Sequence, residues 1–279
     1  MAFSHFLITR FNIPNKDWAT DKNKQPVQNI EWLNHRINLF ETYCLHSIIN
    51  QSCKKFIWLI YFDENSPTFL REKIAEWENL CKNMIPQYSG DYNALLDYQI
   101  SDAIKTLLPK ETKFIITTRI DNDDAFHKNA IEIIQQHFIP KDNTIIDLEK
   151  GYCYNIEKQV ITKWKFKSNA FISYIESSNK SAFNTVYREG HPAWIGKADF
   201  ISITNKRLWL QIIHHKNVAN SQKGRIVFSK KKLRNFNIEI RIPFFVIKSL
   251  STSFKKNYLL FKHEVKLVVY KIFGKQIKS

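Results

Sequence analysis

The sequence predicts an α/β fold, a mostly parallel sheet flanked by helices. Three observations carry this. Short apolar runs at 4–11, 56–62, 114–116 and 144–148 alternate with longer segments whose apolar residues recur every three or four positions. The strand candidates end in polar or acidic residues, as suits a sheet whose ligands gather at the carboxyl ends of its strands. The 279 residues, 44% of them hydrophobic, suffice to bury a full core.

Residues 4–11 alternate and then run apolar into a polar end, as a first strand would. Trp32 to Ser52 follows as a helix, with Leu33, Ile37, Phe40, Cys44 and Ile48 at helical spacing. Phe56 to Phe62 is a fully apolar strand ending in Asp63. Pro67 opens a helix running through Cys81, a position where proline costs no hydrogen bond. Residues 91–108 read as another helix with Tyr92, Leu95, Ile100 and Ile104 inward. The strand from Phe114 leads into TTRIDNDDAF, and a helix from Asn129 to His137 and a strand from Thr144 to Leu148 come next. From Gly151 to Asp199 the segments become shorter, aromatic and polar, and read as an antiparallel excursion with loops.

Charge divides the chain. From Lys223 onward fifteen Lys or Arg stand against Glu239 and Glu264, which is +13 of the overall +16. We therefore divide it into an α/β domain at 1–222 and a basic extension at 223–279. In the extension Phe254, Tyr258, Phe261, Val265, Val268 and Ile272 predict an amphipathic helix over 254–273. Its charge points to an anionic partner, a membrane surface or a nucleic acid.

Several classes are disfavoured. No GxGxxG or GxxxxGKS occurs. Cys44, Cys53, Cys81 and Cys153 have neither zinc-finger spacing nor a disulfide pattern, so a reducing cytoplasm is expected. The apolar run at 6–8 is too short for a signal peptide, and no window approaches the ~20 apolar residues of a membrane span. A soluble or peripheral protein is expected.

The densest chemistry is Asp121, Asn122, Asp123 and Asp124, delivered at a strand end. Three carboxylates that close repel one another unless a cation holds them. Mg²⁺ or Mn²⁺ held by one or two carboxylates and substrate phosphate oxygens meets that need, so a nucleotide-diphosphate site is the natural reading. The alternative is an Asp-rich turn capping the next helix. A calcium loop is disfavoured by Phe126, which stands where its glycine belongs.

HFLITRFNIP, WLNHRINLFETYCLHSIINQS, FIWLIYFDE, TTRIDNDDAF and WLQIIHHKN occur in an order that resembles the rhamnosyltransferase family of bacterial glycosyltransferases, over roughly residues 5–220. The resemblance implies a GT-A-like, Rossmann-type domain that binds a nucleotide sugar through an Asp-x-Asp pair and Mn²⁺ or Mg²⁺. It implies Asp123 as a direct metal ligand, Asp121 as a ligand or ribose contact, and His214 as a histidine returning to metal or diphosphate. Arg10, Asn12 and Asp63 fall where such enzymes grip the nucleoside. Arg119 shares a strand face with Asp121 and either reaches phosphate or forms a salt bridge. Arg36 is a weaker contact whose expected role is a surface salt bridge. Asp124 is expected behind the metal, and His215 competes with His214.

An inverting reaction needs a base at the acceptor hydroxyl. Asp199 is preferred, with Glu189 and Glu176 as alternatives and His191 beside them; Trp194 is the candidate platform for the acceptor sugar, or else a core residue. The resulting expectation is transfer of L-rhamnose from a deoxythymidine diphosphate, or another hexose from a uridine diphosphate, to a bacterial surface glycan or its lipid-linked precursor. The basic tail would hold the enzyme at the inner face of the cytoplasmic membrane. Two other classes compete. A nucleic-acid-binding protein lacks any recognisable binding motif outside the basic tail. A metal-dependent phosphohydrolase needs further carboxylates converging on the first pair.

Overall fold

In the computed structural model the expected alternation is present; the structure describes residues 2–15, 20, 27, 29–217, 220–227 and 230–238. These belong to one unit, Met1–Glu239. The amphipathic helix expected over 254–273 lies outside the described residues.

The chain begins with β1 (Phe3–Arg10), then α1 (Ile30–Leu39), which continues through a π-helical turn at Phe40–Leu45 into α2 (His46–Ile49). Next come β2 (Ile57–Asp63), α3 (Thr68–Leu80), β3 (Met84–Ser89) and α4 (Tyr92–Ala94). A second π-helical turn, Leu95–Gln99, leads into α5 (Ile100–Leu107). Then follow β4 (Phe114–Arg119), β5 (Ala125–Phe126), α6 (Ala130–Gln136), β6 (Thr144–Leu148), β7 (Lys150–Asn155), β8 (Val160–Lys165) and β9 (Ile172–Ser177). A 3₁₀ turn at His191–Trp194 precedes β10 (Asp199–Ile203), β11 (Trp209–Ile213) and β12 (Arg225–Ile226), and a 3₁₀ segment spans Lys230–Phe236.

The main sheet has the order β10-β6-β9-β4-β1-β2-β3. Its neighbours are parallel except at β9, which is antiparallel to both β4 and β6. A strand buried on both faces must be apolar throughout, which is why β1 and β2 lack alternation. Leu7, Trp58, Ile60 and Phe62 pack with Trp32, Phe40 and Trp77 of the helices on one face. Phe6, Ile8, Leu59 and Tyr61 pack with Leu95, Ile100 and Ile104 on the other. Each such side chain contributes about 1.5–3 kcal/mol by leaving water.

A second sheet, β12-β8-β7-β11-β5, takes only β7 and β8 from the stretch read as an antiparallel excursion, while β9 of that stretch joins the main sheet. WLQII is thus a strand, β11, parallel to β7 and antiparallel to β5. Gly151 on β7 permits this: a Cβ there would lie 2.0 Å from the Trp209 ring, which stacks on Phe171 at 4.7 Å and 5°. The basic segment starts within the same unit. β12 pairs with β8, and Phe236 is buried against His127 and Tyr152. The charge break at 222/223 is therefore not a structural boundary, because apolar residues after it complete this sheet's cover. Among the described residues no helix is long and apolar enough to cross a membrane.

Candidate active site

After β1 the chain builds β2 and β3 on one side and returns to place β4 on the other, so the strand order reverses between β1 and β4. A crevice opens beyond the carboxyl ends of such a pair, and ligands of open α/β sheets bind there. A cavity of about 710 Å³ occupies it. Arg10, Asn12, Arg119, Asp121, Asn122 and Asp123 line one side, and Trp164, Phe166, Phe171 and Trp209 also line it.

The acidic turn resolves its own repulsion by giving each carboxylate a different environment. Asp121 is the open one, with Oδ1 at 3.9 Å from Arg10 and 3.6 Å from Arg119. Asp123 is 4% exposed, and its Oδ2 accepts from Arg36 at 2.7 Å. The same oxygen lies 2.9 Å from His214 Nε2. Burial alone would push the Asp123 pKa up; the Arg36 charge and the His214 ring outweigh it and hold the carboxyl far below its usual range. Asp124 is fully buried, and burial followed by the charges of Asp123 and Asp121 pushes its pKa well up. Its Oδ1 accepts from the Ile212 backbone N–H at 2.8 Å, tying the acidic turn to the strand that leads into His214.

Asn122 completes the turn. Its Nδ2 donates to the Phe11 carbonyl at 2.8 Å and its Oδ1 accepts from Arg36 at 3.1 Å. Arg36 is thus no surface salt bridge, for it is 8% exposed and joins α1 to two residues of the motif. The helical spacing that buries Leu33 and Ile37 carries Arg36 inward with them.

Arg10 and Arg119 form the cationic side. The guanidinium of each lies over the Tyr187 ring, at 4.8 and 5.0 Å, and Arg10 also donates to Tyr92. Tyr187 is delivered by a loop that the main sheet pins. Glu176 on β9 accepts from the Asn184 and Thr185 N–H groups, and Thr117 on β4 accepts from Val186. Two arginines against the single open carboxylate Asp121 leave this side of the cavity positive, which suits a phosphate-bearing ligand.

The two histidines separate clearly. His214 is 1% exposed and stands behind Asp123, held by Asn217 through its backbone and ring and by His35 Nε2 at 3.4 Å from its Nδ1. His215 is exposed and pairs with Glu157. Among the described residues no three His, Cys, Asp or Glu side chains gather closely enough to hold a metal ion alone. Mg²⁺ and Mn²⁺ bound with a diphosphate need only one or two protein ligands. Of the expected ligands, Asp121 is the most open, its contacts to Arg10 and Arg119 being 3.9 and 3.6 Å, and the ionised Asp123 also lines the cavity, so these two fit that smaller donor set, with His214 behind Asp123 rather than facing the cavity.

Of the remaining candidates, Asn12, Glu189 and His191 line the cavity. Glu189 is held by Lys197 at 2.7 Å. His191 Nδ1 donates to the Ser168 carbonyl at 3.0 Å, which leaves Nε2 as the acceptor of a neutral ring, and burial lowers the pKa of that ring.

Four expectations are corrected. Asp199 is exposed at the amino end of β10, paired with Lys141. Because β10 runs parallel to β6, and β6 parallel to β4 across β9, Asp199 lies at the opposite edge of the sheet from the cavity. Trp194 is fully buried against Tyr174, so no sugar can stack on it. Asp63 caps a turn by accepting from Asn65 N–H and is absent from the cavity lining; Asn12 reaches its backbone instead. Glu176 is buried at 0% exposure with its oxygens committed to the loop.

Asp147 at the end of β6 anchors the segment beside His191, accepting from Ser168 N–H at 2.6 Å and Asn169 Nδ2 at 3.2 Å. Burial pushes its carboxyl from 3.8 up to about 6. A carboxyl with a raised folded pKa favours the folded state most below its unfolded pKa, and that contribution is lost as pH rises through the folded value. The loss is on the order of 3 kcal/mol between about pH 4 and 6. Thermal unfolding across that range should show the difference between wild type and Asp147→Asn shifting in favour of the variant as pH rises. A pH-independent difference would contradict the burial argument.

Comparison with known proteins gives the following. The family model described as "Putative rhamnosyl transferase" matches residues 3–226. No curated protein matches the chain. Among solved structures, S. aureus TarS 1-349 in complex with UDP is similar at 12% identity and a TM-score of 0.39, over 75% of this chain and 60% of that one. The same TarS fragment in complex with UDP-GlcNAc gives 11% and 0.37, over 78% and 62%. The chain thus spans less than two thirds of the length of these proteins.

Proposed function

The chain belongs to the family described as putative rhamnosyl transferase, and from that premise we propose that it is a glycosyltransferase acting from a nucleoside-diphosphate sugar in the cavity beyond β1 and β4. One observation carries the reading. Asp123, backed by His214 at 2.9 Å, stands in a cavity wall whose other charged members include Arg10 and Arg119. That pairing suits a diphosphate and the cation that accompanies it, and a site for a neutral ligand would have no use for it.

Asp123 and Asp121 would hold Mg²⁺ or Mn²⁺, with His214 positioning Asp123 from behind, and such an ion, when bound, would neutralise charge developing on the leaving diphosphate. The chain's own residues do the rest. Arg10 and Arg119, fixed over Tyr187, meet phosphate oxygens without reorganising, which is where fixed charges gain most. Asp121 sits between them and orients the pair. Glu189 takes the proton of the acceptor hydroxyl, since it lines the cavity and Lys197 keeps its carboxylate in place. His191 is its alternate, with Nε2 open to accept. The family description suggests a rhamnosyl donor, and the proposed donor is L-rhamnose on deoxythymidine diphosphate or another hexose on uridine diphosphate. The acceptor is a bacterial surface glycan or a lipid-linked precursor, and the +13 of charge from Lys223 onward suits an anionic membrane surface.

A thermal-shift screen of deoxythymidine- and uridine-diphosphate sugars, each with and without Mn²⁺, tests this. A ligand at a hundred times its dissociation constant stabilises by about 2.7 kcal/mol. The expected result is a donor shift that grows when metal is present. Shifts from donor and metal that simply add, or no donor shift at all, would remove the reading.

A further inference from the structure

The charged side of the cavity accounts for a diphosphate and leaves its aromatic side without a role. We propose that Phe166 and Trp164 form the acceptor subsite, on which a glycan lies as it extends outward from the base; this rests on the transferase reading above. Whatever hydroxyl reacts must reach Glu189 or His191, so the rest of the acceptor continues from there. From His191 the wall runs as an unbroken row. The Phe166 ring lies 6.5 Å from His191, the Trp164 ring 5.1 Å from Phe166, and the Lys223 ammonium 6.0 Å from the centre of Trp164. All four residues line the cavity.

The row is built to stay in place. Trp164 packs edge-on against Trp209 at 5.9 Å, and Trp209 is fully buried and bonded through its indole N–H to the Leu148 carbonyl at 2.5 Å. Phe166 nevertheless remains 38% exposed, a large apolar surface presented at a cavity rather than withdrawn from water. Aromatic surface of this kind packs against the C–H face of a sugar ring, and a few polar groups at its ends fix orientation. Here those groups are His191 at the inner end and Lys223 at the outer, whose ammonium donates to glycan oxygens. The ligand class is therefore a saccharide at least one ring long beyond the reacting hydroxyl.

The test uses the full chain and saturation-transfer NMR with the methyl glycosides of rhamnose, glucose, galactose and N-acetylglucosamine, each in the presence of deoxythymidine or uridine diphosphate. At least one glycoside should show ring-proton contact in the wild type. Phe166→Ala and Trp164→Ala should each weaken that contact about tenfold in affinity, Phe166→Tyr should keep it, and nucleotide affinity should be unchanged in all three. Phe166→Ala guards against misfolding, since its side chain is exposed. Glycoside contact that survives both alanine variants overturns the proposal, as does a wild type that binds nucleotide and no glycoside. A wild type that binds no nucleotide removes the transferase reading instead, a result read in a separate signal.

Discussion

Asp123→Ala abolishes transfer and lowers the unfolding midpoint as well. From the sequence an acidic residue at a strand end is an exposed ligand, removable without cost to the fold. The structure corrects that, because Asp123 is 4% exposed and receives Arg36 at 2.7 Å. Removing one partner of a buried pair strands the other charge and costs about 3–5 kcal/mol. The activity loss is at least about 10²–10³-fold, the scale of a lost electrostatic stabiliser in a closed site. The two effects separate in the double variant Asp123→Ala/Arg36→Met, where no charge is stranded: stability should return in large part while transfer stays lost. The sign of the pH dependence follows from the depressed pKa. Asp123 contributes stability above its unfolded pKa, and the contribution disappears as pH falls toward its folded value. The single variant's deficit should thus be constant from pH 5 to 8 and shrink in acid. Near-normal turnover in Asp123→Ala would end its assignment to the site, and an undiminished midpoint would end the ion-pair account.

The elements that were legible in the sequence are those whose signal is local. β1, β2, β4 and β6 announce themselves because a strand covered on both faces is apolar throughout. β3 escaped because it is an edge strand of sequence MIPQYS, with Pro86 inside it, and edge strands tolerate both polarity and proline. The routes of β9, β10 and β11 were not legible either. Whether a short aromatic segment joins the main sheet or the second one depends on partners roughly twenty-five to sixty residues away, as when β9 inserts between β4 and β6.

The same division explains the site. Arg10, Asn12, Arg119 and Asp123 could be placed because strand ends of a parallel sheet converge by topology. Asp199 misled because proximity to the HPAW turn in sequence says nothing about which edge of the sheet a strand starts from. Trp194 misled because a turn aromatic reads as exposed, whereas this one packs at 4.6 Å on Tyr174. Tyr187 and Asn217 had no distinguishing signal, since each acts through a tertiary contact. Arg36 and Trp164 did have one: Arg36 falls between Leu33 and Ile37 on a buried helix stripe, and Trp164 and Phe166 alternate with Lys163, Lys165 and Lys167.

His214→Ala should cost far more than His215→Ala, although the two are adjacent. Successive residues at the end of β11 point to opposite sides. His214 turns inward, 1% exposed, with Nε2 facing Asp123, while His215 turns out to Glu157. The loss for His214→Ala is about 10²-fold or more in transfer rate at saturating donor, accompanied by weaker Mn²⁺ binding in calorimetry, because the ring meets the Asp123 carboxylate at 2.9 Å and positions it. His215→Ala should stay within about twofold, since exposed pairs contribute little. His35→Ala falls between them. It meets His214 through Nδ1 at 3.4 Å and edge-on through the rings at 5.1 Å, and residues that orient a ligand in this way typically cost 10–100-fold, about the range expected here. Their ranking is the informative quantity. Equal, mild losses at His214 and His215 would return both to structural roles, and full activity in His214→Ala with unchanged Mn²⁺ affinity would leave Asp123 without its partner at the diphosphate.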